Sequence, residues 1–240
     1  MRQGHIAMSI GERNSRRVRA LGPRGAFALL LAGFLFWGCG SDDDGGPAPT
    51  VTAADLTNQG WTLFEAGRYT DAIGKFADAL EKDADYGPAD TGRGWSYLML
   101  GDISQPTTDL ASAIDAFDGA IGKGENDGNV HGGRASTLLA LGGDQLSAAV
   151  LAAQAAVAQA PSFVFAHRTS FNIDDLHLIE GFAQAAQGNF PEAQAAADAV
   201  APSGLEQGNS ATWVVDGVTY PNYAQAILAY LMKMSNEHSG

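Results

Sequence analysis

The chain is short of positive charge, of cysteine and of long apolar runs, and each shortage removes a class of explanation. Of 240 residues only 14 are Lys or Arg, against 27 Asp or Glu, for a net charge of −13. Six of the basic groups, Arg2, Arg13, Arg16, Arg17, Arg19 and Arg24, precede residue 39 and face only Glu12 there. The remainder, residues 39–240, therefore carries 8 basic and 26 acidic side chains, a net of −18. A body this acidic repels phosphate backbones and presents no basic patch to anionic lipid, which argues against nucleic-acid binding and against electrostatic membrane binding. Cys39 is the single cysteine. It leaves no internal disulfide and no cysteine-based zinc site, so its thiol is free, intermolecular or modified. Catalytic signatures are lacking too: G-x-S-x-G, a phosphate loop and H-E-x-x-H do not occur.

The longest apolar run is "AFALLLAGFLFWG", 13 residues from Ala26 to Gly38. A membrane-spanning helix needs roughly 17–25. A short apolar run behind an arginine-rich segment is the pattern of a secretory signal. It ends in Gly38-Cys39, and "GSDDDGGPAPT" follows, polar and without helical periodicity. The junction resembles the bacterial lipobox, in which a small residue precedes a cysteine that is lipidated on sulfur and becomes the new N-terminus. The resemblance implies removal of residues 1–38, lipid attachment at Cys39 and a flexible acidic tether over 39–52. It further implies a bacterial cell envelope location facing the periplasm. Gly40, where Asp would favour inner-membrane retention, leans towards the outer membrane. An uncleaved signal anchor or a free thiol remain the alternatives. Asp42, Asp43 and Asp44 read as a solvated charge run in the tether.

Beyond the tether, alanine and glycine abound and β-branched residues are sparse until the C-terminal region, which favours helices. Internal repeats then carry the architecture. "GWTLFEAGRYTDAIGKFADAL" (Gly60 to Leu80) is echoed by "GWSYLMLGD" (Gly94 to Asp102) and "AIDAFDGAI" (Ala113 to Ile121). Gly60 and Gly94 are 34 residues apart, as are Trp61 and Trp95, and Gly67 and Gly101. A small residue followed seven positions later by glycine recurs four times: Gly60–Gly67, Gly94–Gly101, Ala135–Gly142 and Gly181–Gly188. The first member allows close helix approach, and the second suits a left-handed residue that closes a helix. Phe76 and Ala79 lie three apart on one face of the following helix. The period and the glycine pattern resemble the tetratricopeptide repeat, a helix–turn–helix unit. The resemblance covers roughly residues 53–205, as four helical pairs. It implies an all-α repeat superhelix acting as a non-enzymatic scaffold for a protein or peptide partner. Two insertions interrupt the period: "DISQPTTDLAS" within the second repeat and "SFVFAHRTSFNIDD" between the third and fourth. Such insertions tend to fall in loops on one face.

"TWVVDGVTY" (Thr212 to Tyr220) places β-formers around Asp216-Gly217, a strong hairpin signal. Apolar Ala226, Ile227, Tyr230 and Leu231 then fit one helical face. Residues 206–240 are thus expected to form a small β-hairpin and a helix that cap the array.

In the repeat family the first helix of each pair lines a concave groove. The resemblance places Trp61, Phe64, Trp95, Leu98, Leu139 and Phe182 there. Two tryptophans in register would make an aromatic ledge for an extended peptide. The alternative is that they pack into neighbouring helices or beneath the C-terminal helix. His167, Asp174, Asp175, His177 and Glu180 cluster in sequence, and Asp174 and His177 share a helix face. Asn172 through Asp175 also reads as a helix N-cap with acid in the first turn. No metal, cofactor or catalytic residue is assigned. A lipid-anchored scaffold is the first functional reading. An accessory lipoprotein of an envelope secretion, assembly or polymer-export machine is the second.

Overall fold

The computed structural model of the chain describes residues 50–101 and 106–238. Cys39, the expected leader and the tether up to residue 49 lie outside the described residues. Nine α-helices occur among the described residues. The first eight form four hairpins: α1 (Ala53–Glu65) with α2 (Tyr69–Lys82), α3 (Gly87–Gly101) with α4 (Pro106–Gly122), α5 (Gly128–Leu141) with α6 (Leu146–Gln159), and α7 (Ile173–Ala186) with α8 (Phe190–Val200). Each helix packs on the next in sequence, and α1, α3, α5 and α7 also touch one another in turn. Two layers result, one of first helices and one of second helices. This is the expected repeat superhelix.

The glycine pattern has a specific physical role at the C-terminal ends of the helices and within them. α1 starts on a capping box between Thr52 and Asp55 and ends on Gly67, whose φ is +73°. The amide of Gly67 donates to the Phe64 carbonyl at 2.9 Å and that of Arg68 to the Leu63 carbonyl at 2.9 Å, a Schellman closure. α7 closes in the same way on Gly188, with φ +84°. Within the helices, glycine makes room for aromatic rings. The Phe76 ring on α2 lies against Gly60 of α1 on one side and Gly92 of α3 on the other. Phe117 on α4 lies likewise between Gly94 of α3 and Gly133 of α5. Each ring thereby joins its own repeat to the next. The third and fourth repeats hold Ala153 and Ala197 at that position, both fully buried.

The insertion "DISQPTTDLAS" resolves differently from the expected loop. Residues 106–112 form the first two turns of α4, which runs for 17 residues against 14 in α2. Pro106 takes the first helical position, where its fixed φ and missing N–H are tolerated.

Among the described residues one charged side chain is buried. Asp90, on the first turn of α3, is 2% exposed; it pairs with Arg93 at 2.7 Å and with Lys123 beyond the end of α4. The two cations retain an edge to water, so they can rehydrate if the carboxylate is removed. Asp90→Ala is expected to cost about 3 kcal/mol, the low end for breaking a buried ion pair. A urea midpoint lowered at unchanged slope would show it, and a shift below about 1 kcal/mol would place the pair with ordinary surface bridges.

The C-terminal cap forms as expected. Strands β1 (Val214–Val215) and β2 (Val218–Thr219) pair antiparallel in the register Val214 to Thr219 and Val215 to Val218. Asp216 and Gly217 form the two-residue turn, with φ +51° and +77°. α9 (Tyr223–His238) packs on α7 and α8, and Leu231 fills the space beside Gly181. The Tyr230 hydroxyl donates to the Ala201 carbonyl at 2.7 Å, and Tyr223 bonds Gln194.

Candidate functional site

The six expected groove residues part company. Trp61 and Phe64 on α1 and Trp95 on α3 come together in one aromatic cluster, with Leu98 and Leu139 partly buried against the same core. Phe182 does not join them. It packs in a second apolar cluster with α8, α9 and the hairpin. The array ends at the fourth pair, so the cap takes the place that a further repeat would occupy.

The surface formed by the aromatics is covered by the chain itself. The connector between α6 and α7, residues 160–172, crosses it. Phe165 stacks on Trp95 with ring centroids 4.2 Å apart and 17° between planes. The same ring meets the edges of Trp61 at 5.8 Å and Phe64 at 6.0 Å. His167 stacks flat on Trp61 at 3.8 Å, and its Nδ1 lies 2.8 Å from Oε1 of Glu65. Phe171 presents an edge to Trp95 at 5.2 Å and to Phe163 at 5.9 Å. Arg168 donates to the Met99 sulfur at 3.3 Å. Trp95 is consequently only 2% exposed, and its Nε1 donates to the Asn129 carbonyl at 3.0 Å. The expected open ledge is therefore a filled one. Nor does the C-terminal helix fill it: the second insertion does.

Local sequence explains how the connector folds. Pro161 follows the end of α6 and prevents its continuation. Phe163 and Phe165 turn inwards while Val164 between them is 54% exposed, the period of an extended strand. The backbone then folds over itself: the Phe165 amide donates to the Phe171 carbonyl and the Ile173 amide to the Phe163 carbonyl, both at 2.9 Å. Asn172 caps α7, accepting from the Asp174 amide, while the Asp175 carboxylate accepts from the Asn172 amide. Phe163, Phe165 and Phe171 were not among the expected site residues. Their signal was aromatic alternation inside an apparent insertion, where a solvated loop needs no aromatic side chains.

The acidic and histidine residues near the connector do not form one group. His167 goes to α1. Glu180 accepts from the Gln154 amide at 2.6 Å. His238, at the end of α9, bonds Asn172 and sits 3.8 Å from both Asp174 and Asp175. Burial pushes the Asp175 carboxyl up, against the downward pull of the Asn172 amide and of His238. Among the described residues, no group of three or more His, Cys, Asp or Glu is arranged to hold a metal ion.

Comparison with solved structures bears on the fold. The crystal structure of YrrB, a TPR protein with an unusual peptide-binding site, matches with a TM-score of 0.52 over 78% of this chain and 88% of that one, at 21% identity. The fold is that of tetratricopeptide-repeat proteins. The crystal structure of TTC0263, a thermophilic TPR protein in Thermus thermophilus, matches at 14% identity over 62% of this chain and 90% of that one, with a TM-score of 0.33. No protein-family model matches the sequence, and no curated protein matches it either. Within the tetratricopeptide fold, this array differs from a plain four-hairpin stack by the connector seated on its first-helix face and by the cap. No helix among the described residues is long and apolar enough to cross a membrane.

Proposed function

We propose that the chain is a non-enzymatic protein-interaction scaffold, lipidated at Cys39 and tethered on the periplasmic side of a bacterial envelope membrane, the outer one. The repeat fold supports the scaffold reading. The observation that carries it is the aromatic segment 161–172 seated on the first-helix face, because its Phe165 and His167 side chains complement the rings of Trp95 and Trp61 there. The peptide-binding description of YrrB points the same way. The anchoring part rests on the Arg-rich segment, the 13-residue apolar run and Gly38-Cys39. Anchoring by lipid suits a body whose net charge would otherwise keep it from an anionic surface.

Fractionation tests the anchor. Cys39→Ser is expected to move the protein from the membrane pellet to the soluble fraction. Retention in the membrane with the leader still attached would replace the lipid anchor by a signal anchor. Crosslinking in intact envelopes from a photoreactive residue at Val164 tests the scaffold. A discrete adduct with one envelope protein is expected. A ladder containing several stable components would instead favour an accessory of an assembly or export machine.

A further inference from the structure

The connector shows what the first-helix face recognises. Three of its side chains, two residues apart, pack on the first helices, Phe165 and His167 sharing Trp61. A β-carbon at Gly128 would sit 2.7 Å from the Phe163 ring, so this ring lies directly on α5 backbone. Phe165 enters the Trp95, Trp61 and Phe64 cluster and is 1% exposed. His167 lies on the Trp61 face with the Glu65 carboxylate beside it, a place that suits a flat or cationic group. Val164 points away.

The attachment is made by side chains. The backbone hydrogen bonds of the connector run among residues 160–173: Phe163 to Ala160, Arg168 to Phe165, Phe171 to Arg168, Phe165 to Phe171 and Ile173 to Phe163. Its ties to α1 and α3 are ring stacking, the His167–Glu65 pair and the Arg168–Met99 contact. Glu65 and His167 are 102 residues apart in sequence. What the face reads is therefore a side-chain pattern, which a strand from another molecule can supply equally well.

We propose that residues 163–167 are an internal ligand, and that the first-helix face takes a segment of a partner protein with the pattern aromatic-x-aromatic-x-basic or histidine, extended across the two aromatics and turning at the third position. This rests on the scaffold reading above and names its ligand. The partner strand replaces the connector, so the intact chain binds with an affinity reduced by the fraction of molecules in which the connector has lifted.

The test uses the full chain carrying Phe163→Ser, Phe165→Ser and His167→Ser, with a fluorescein-labelled peptide SFVFAHRTSF and a control peptide SSVSASRTSF. Anisotropy is expected to show the triple variant binding the first peptide about tenfold or more tighter than the wild-type chain does, because the competing connector is gone. The control should bind neither chain. Where the triple variant is unfolded alone, helical circular dichroism should return on adding the first peptide and not the control. A folded variant that ignores the first peptide, or binds both alike, overturns the proposal. So does an unfolded variant that no peptide restores. A wild-type dimer by light scattering that dissociates in the triple variant would make a second copy's connector the occupant, and would likewise overturn the partner reading. Failure here leaves the anchored scaffold standing, since fractionation of Cys39→Ser and crosslinking from Val164 do not depend on the peptide.

Discussion

Phe165→Ala is expected to lower the unfolding free energy by about 3–5 kcal/mol, the range for emptying a large aromatic site in a core. The ring is held by Trp95, Trp61 and Phe64, which belong to the first two repeats, although it enters from the connector between the third and fourth. An open repeat array gains stability only from nearest neighbours, so damage to one unit stays local. Here the connector ties the array back on itself, and loss of the ring removes a contact shared by α1 and α3. Two consequences can be separated. The urea midpoint should fall, read by fluorescence, because Trp61 and Trp95 both line the vacated space. The unfolding slope should also fall, because the first two repeats can now open before the others. Leu151→Ala is the control: Leu151 on α6 is 67% exposed, and its removal should change stability by about 0.5 kcal/mol or less. A Phe165→Ala shift as small as the control's, with unchanged slope, would mean that the connector merely lies on a face that is stable without it.

The repeat architecture was legible because it rests on a backbone requirement. Gly67 and Gly188 occupy left-handed positions, and Gly60, Gly94 and Gly181 lie against bulky side chains, so the residue type itself reports the contact. The hairpin was legible for the same reason, since Asp216-Gly217 is demanded by the turn. The destination of the connector was not. Periodicity says which residues avoid water, and it says nothing about which distant surface receives them. Phe163 and Phe165 announce burial by alternating, but only the folded chain shows that Trp61 and Trp95 are their hosts. Phe182 failed in a related way. Its register matches Trp61 and Trp95, yet it sits at the last repeat, where the neighbour is α9 instead of another hairpin. Equivalent positions in a repeat have equivalent surroundings only in the interior of the array. The start of α4 was hidden by length: the 34-residue period assigns 106–112 to a connector, while Pro106 followed by two threonines and an aspartate is a workable helix opening.

The glycines that receive the rings make the sharpest energetic test of the packing, because two principles oppose each other there. In a helix interior alanine is favoured over glycine by about 1 kcal/mol, so propensity alone predicts that Gly92→Ala stabilises the protein. The structure predicts the opposite. A β-carbon at Gly92 would overlap the Phe76 ring outright, and the fully buried ring also lies close against α1 at Gly60, which leaves it little room to retreat. Overpacking costs about 1–3 kcal/mol, and a fully buried ring packed on two helices belongs at the upper end. Gly92→Ala should therefore destabilise by about 2 kcal/mol net of propensity. Phe76→Ala alone should cost about 3–5 kcal/mol by leaving a cavity between two repeats. In that background the new methyl meets open space and helix propensity reasserts itself, so adding Gly92→Ala should become neutral or favourable. The double-mutant cycle is expected to give a coupling of about 2–3 kcal/mol. A Gly92→Ala variant that is more stable than wild type would show that Phe76 moves freely, and the wedge joining the first repeat to the second would then be a loose contact instead of the joint that sets their spacing.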